Sequence, residues 1–68
     1  MRADRVELSW DKAKHNWLVR IAAGSEVIRR HCNQSRDADE YTLLTAAEQT
    51  AHDEGYEIDR SCISILRE

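Results

Sequence analysis

Two stretches of strict alternation, joined by a short polar segment, limit what this chain can fold into more than any other feature. Val6, Leu8 and Trp10 alternate with Arg5, Glu7, Ser9 and Asp11, and Trp17, Val19 and Ile21 alternate with Leu18, Arg20 and Ala22. Successive side chains of a strand point to opposite faces, so each stretch predicts a strand with one buried face. The polar segment at residues 12–16 reads as the loop of an antiparallel pair, with both tryptophans on the core face beside it. A buried indole needs a partner for its N–H, which places both tryptophans at the edge of the core.

Gly24-Ser25 then offers a tight turn, because glycine tolerates positive φ. Residues 26–32 form the predicted third strand. A two-residue turn sets Ile28 opposite Ile21 and points Ile28 and Cys32 inward, whereas a slip of one residue would bury Val27 and reverse every side chain. The first register is the one expected. After a polar loop at residues 33–36, a helix is predicted from Asp37, with Asp37 and Glu40 as a capping box and Asp39 adding charge at the positive end of the dipole. Tyr41, Leu44, Ala47 and Ala51 give its apolar stripe, widened by Leu43 and Ala46. Gly55 is the expected stop. Tyr56 and Ile58 are out of phase with Ile63 and Ile65, so a bend at Asp59-Arg60 precedes a last strand over residues 61–66. The resulting order, β-β-β-α-β, predicts a two-layer α+β domain spanning residues 1–68, an antiparallel sheet with one helix packed on one face.

A chain of 68 residues with no phenylalanine and two tryptophans has little core to draw on. Domains of this size bury only about 60% of their unfolded surface, so a dimer or a stabilising partner is an expectation. No apolar run reaches the roughly 20 residues that cross a bilayer, and no apolar signal-type segment follows Met1, which points to a cytoplasmic protein. In that compartment Cys32 and Cys62 are expected to be free thiols buried as small apolar residues.

Charge is sorted along the chain. Residues 1–36 carry a net +4, residues 37–59 carry eight acids and no Lys or Arg, and the whole chain carries −3. Catalytic and metal signatures are missing from the pattern. His31, Cys32, His52 and Cys62 lack the short ligand intervals of zinc sites. Gly24 and Gly55 are each explained by a turn, leaving no phosphate loop, and so short a chain has little material for a cleft around an activated nucleophile. The expectation is a non-enzymatic protein without cofactor or metal.

The acids give the leading functional expectation. Local stability does not favour acids at the negative end of a helix dipole or repeated like charges along a helix. Glu48, His52, Asp53, Glu54, Glu57 and Asp59 are therefore the expected contacts to a protein partner with a basic surface, such as the positive groove of a nucleic-acid-binding machine. Compact phage and mobile-element inhibitors of the anti-CRISPR and antirestriction kind have this size and character, and the element order is similar to that of HicB-type antitoxin domains. An alternative is RNA or DNA binding through the basic sheet face of Arg5, Arg20, Arg29 and His31. It lacks the exposed aromatics on which single strands stack. Cross-strand pairing of these arginines with Glu7 and Glu26 is the purely structural explanation of that face. A third possibility is a homo-oligomer whose opposite-sign halves pair between copies.

Overall fold

The computed structural model describes residues 1–66. Four strands, β1 (Arg5–Asp11), β2 (Asn16–Ala23), β3 (Glu26–Cys32) and β4 (Ile63–Leu66), and one helix, α1 (Glu40–Asp53), follow in the order β1-β2-β3-α1-β4. A short 3-10 turn at Arg60–Cys62 leads into β4. The strands form one sheet in the order β3-β2-β1-β4, with α1 packed on one face, so the expected two-layer α+β architecture is present.

The sheet is mixed rather than wholly antiparallel. β1 pairs antiparallel with β2, and β2 with β3, so β3 runs in the same sense as β1. The chain then crosses the sheet as a helix and returns to the far side of β1, where β4 pairs in parallel, Val6 opposite Ile63 and Leu8 opposite Ile65. A tight hairpin reverses a strand, whereas a helical crossover restores its direction.

The β2–β3 register is the expected one, with Ile21 opposite Ile28 and Trp17 opposite Cys32. Ile28 packs against the core and Val27 stays 46% exposed on the other face. The core is Val6 and Leu8 from β1, Trp17, Val19 and Ile21 from β2, and Leu43, Ala47 and Ala51 from α1, closed by Ala3 and Tyr56. Burying each large aliphatic side chain contributes about 1.5–3 kcal/mol. Trp17 is fully buried rather than at the edge, because its indole N–H finds a partner inside the fold: Nε1 donates to the Ser35 carbonyl at 2.9 Å. Trp10 stays at the margin and meets Trp17 edge-on, ring centroids 5.5 Å apart.

The helix begins at Glu40, three residues after the expected start. Asp39 is its N-cap, with Oδ1 accepting from the Thr42 N–H at 2.8 Å. Asp37 sits before it in a turn tied to Ser35. The buried stripe is Leu43, Ala47 and Ala51, spaced by one turn each, while Tyr41 is 69% exposed. Tyr41 lies two residues, about 200° of helix, from Leu43, so centring the stripe on Leu43 turns Tyr41 to solvent. Gly55, at φ +87°, ends the helix as expected. Its N–H donates to His52 O and the Tyr56 N–H reaches back to Ala51 O, each at 2.9 Å, which is the Schellman arrangement.

The chain after the helix does not run straight into β4. Glu57 forms an isolated parallel bridge with Arg2. The Glu57 N–H donates to Met1 O and the Ala3 N–H to Glu57 O. This strap buries Ala3, and the 3-10 turn that follows Asp59 supplies the bend expected at Asp59-Arg60, so the last strand begins at Ile63 rather than at residue 61. Cys32 and Cys62 are free and lie toward opposite edges of the sheet, with Cys62 exposed rather than buried. Among the described residues no helix is long and apolar enough to cross a membrane.

Candidate functional site

The acidic segment does not present the unpaired cluster that the sequence suggests. Glu54 at the C-cap of α1 is held by Arg30 of β3 through a two-point fork, Nη2 to Oε1 at 3.0 Å and Nε to Oε2 at 3.2 Å. Glu48 accepts from Arg60 at 2.8 and 3.1 Å. The same guanidinium lies over the Tyr41 ring at 5.1 Å and donates to Thr45 Oγ1 at 3.3 Å. Glu48 raises the affinity of Arg60 for its proton, against a smaller opposing effect of desolvation. Asp59 is paired with Arg2. Asp53 accepts from Gln49 Nε2 at 2.9 Å, one helical turn back. Of the expected contact residues, only Glu57 and His52 have side chains with no hydrogen bond or ion pair among the described residues. Glu48, His52 and Glu57 do come together, lining with Tyr56 and Ile58 a shallow concavity of about 420 Å³ beside the helix.

The arginines that neutralise the acids come from three distant parts of the sequence: Arg2 before β1, Arg30 on β3 and Arg60 after the helix. Arg5, Arg20, Arg29 and His31, expected together on the opposite face of the sheet, stand there by the strand registers. Arg30, one residue on from Arg29, points to the helix side, as the two-residue period requires.

The helix-free face is built in cross-strand rows. The first holds Arg5, Ala22 and Val27; the second Glu7, Arg20 and Arg29, with Ser64 of β4 opposite Glu7; the third Ser9, Leu18 and His31, with Leu66 opposite Ser9. Arg20 and Arg29 are thus direct cross-strand neighbours, both exposed. The side chains of Arg5, Arg20, Arg29 and Glu7 make no ion pair or hydrogen bond among the described residues, so the expected pairing of these arginines with Glu7 and Glu26 is not formed.

His31 does have a partner. Its Nε2 donates to Asp11 Oδ2 at 3.2 Å, the tautomer being fixed because a carboxylate only accepts. Asp11 Oδ1 meanwhile accepts from the N–H groups of Ala13 and Lys14 in the β1–β2 turn. The His31 hydrogen bond, helped by those two backbone donors, holds the Asp11 carboxyl below its ordinary range, against a smaller opposing effect of desolvation.

Two further apolar members of this face, Ala22 and Val27, join Leu18 there and are not among the residues expected from sequence to form a site. The signal was available, since each occupies the outward phase of its strand. Among the described residues no group of three His, Cys, Asp or Glu side chains is gathered in a metal-binding arrangement. Comparison with models of protein families, with curated proteins and with solved structures finds no match to this chain.

Proposed function

We propose that this chain is a non-catalytic binding domain, acting in the cytoplasm, whose recognition surface is the helix-free face of the sheet and whose partner is an anionic macromolecule. The observation that carries this reading is the Arg20–Arg29 pair. Like charges directly opposite across two strands destabilise a sheet, and Glu7, which stands opposite Arg20 on β1, forms no ion pair with either guanidinium. The acids, by contrast, are largely consumed within the fold. An anion bridging the two guanidinium groups would remove the repulsion and gain charge-assisted hydrogen bonds from planar donors suited to carboxylate or phosphate.

The test compares two charge-reversed variants on an immobilised polyanion at low salt. Retention is expected for the unmodified protein, lost in R20E/R29E and kept in D53K/E57K. Retention that survives R20E/R29E overturns the reading.

One observation supports a second reading, in which the helix side docks on a basic protein as a small inhibitor does. The concavity between α1 and the following segment is lined by Glu48, His52 and Glu57. Under that reading D53K/E57K is the damaging variant and R20E/R29E is silent.

A further inference from the structure

We infer that the anionic partner of the helix-free face is a protein segment in which an acidic side chain is flanked on both sides by apolar ones, rather than a nucleic acid. This rests on the reading of that face as the recognition surface, and it follows from what surrounds the two arginines.

On β2 and β3 the rows change character in sequence. Ala22 and Val27 form an apolar row, Arg20 and Arg29 a cationic one, and Leu18 with His31 a third that is apolar on the β2 side. Val27 is 46% exposed, and Leu18 and Ala22 are half-buried with no layer of described residues over them. Consecutive rows are two residues apart, about 6.8 Å along the strand. An extended segment lying along β2 and β3 has the same two-residue repeat. Its outward side chains meet the rows in turn as apolar, acidic, apolar. Carboxylates accept the guanidinium donors in a planar fork, and the flanking apolar groups cover Val27 on one side and Leu18 on the other.

A phosphate backbone fits this face poorly. It would satisfy the arginines, yet it would bury Val27 and Leu18 against charge, which loses the apolar contribution. Among the described residues no aromatic side chain has the outward phase of this face to stack on a base: Trp10 pairs with Trp17 on the helix side, Tyr56 is in the core and Tyr41 is on the helix.

The experiment measures fluorescence anisotropy with three labelled probes against the full chain. The first is a peptide of about 15 residues repeating Leu-Ser-Glu-Ser, the second a poly-glutamate of equal length, the third a DNA duplex of about 20 base pairs. The expected order is alternating peptide first, by about tenfold over both others. L18S/V27S should bring the alternating peptide down to the poly-glutamate affinity without changing poly-glutamate binding. R20E/R29E should abolish both, with circular dichroism confirming that each variant is folded. Tightest binding to the duplex overturns the inference in favour of a nucleic acid. Equal binding of the two peptides overturns it in favour of charge alone, leaving the anion-accepting face intact. Absence of binding to all three probes instead removes the reading on which the inference rests.

Discussion

The Asp11 carboxylate serves the β1–β2 turn with one oxygen and the β3 edge with the other. Both sets of donors prefer the ionised form, which is why its pKa is depressed in the folded protein. A depressed acid contributes stability above its unfolded pKa and loses it as pH falls through the folded value. With an ordinary value of 3.8, the Asp11 contribution is complete at mild acidity and disappears below it. The gap in thermal midpoint between the unmodified protein and H31A should therefore narrow as pH drops from about 5 to about 2; a gap constant across that range would contradict the account. The two thiols differ for a physical reason as well. Burial pushes the Cys32 thiol up, so little thiolate forms near neutral pH, while Cys62 stands exposed before β4. A water-soluble thiol reagent should label Cys62 at least about tenfold faster than Cys32, and equal rates would show that Cys32 is not shielded.

At the scale of elements, the helix start provides a direct check. Asp39 satisfies the Thr42 N–H, and Asp37 satisfies none of the orphan donors of α1. D39A should cost about 1 kcal/mol in denaturant unfolding, and D37A should stay within about 0.5 kcal/mol of the unmodified protein. The sequence could not separate these two aspartates, because both are good cap residues and the choice depends on where Leu43 meets the sheet. The same dependence rotated the stripe away from Tyr41. The three-stranded meander was legible because period-2 alternation and the Gly24-Ser25 turn are local signals, and together they fix Ile21 against Ile28. The direction of β4 was not, since its pairing with β1 joins the two ends of the described chain. The site divides in the same way. That Arg5, Arg20, Arg29 and His31 share a face follows from strand phase, whereas the neutralisation of Glu48, Glu54 and Asp59 needs arginines brought from three separate segments.

For the molecule as a whole, the question is whether the helix is held to the sheet by ion pairs or by the core. Exposed pairs contribute about 0–1 kcal/mol, and the Arg30 and Glu54 side chains are 51% and 27% exposed. Truncating a fully buried leucine costs about 2–5 kcal/mol. Domains of this length have a total stability of roughly 3–10 kcal/mol. R30A should accordingly lower stability by less than about 1 kcal/mol, with little change in added salt, whereas L43A should lower it by about 2–5 kcal/mol, read as a shift of the denaturant midpoint by circular dichroism. If R30A proved the more damaging of the two, the electrostatic layer rather than Leu43 would be holding the two layers together.

The placement of β1 between β2 and β4 also bears on how the protein is made. During translation the chain emerges at about 5–20 residues per second from its N-terminal end, so β1, β2 and β3 leave the ribosome before the elements that cover and complete them. Until α1 and β4 follow, that nascent hairpin pair offers Val6, Leu8, Val19 and Ile21 to water, with one side of β1 still lacking a neighbour. Native assembly of this domain therefore waits for α1 and β4 to emerge, and the interval before they do is when holdase chaperones would have the most to bind.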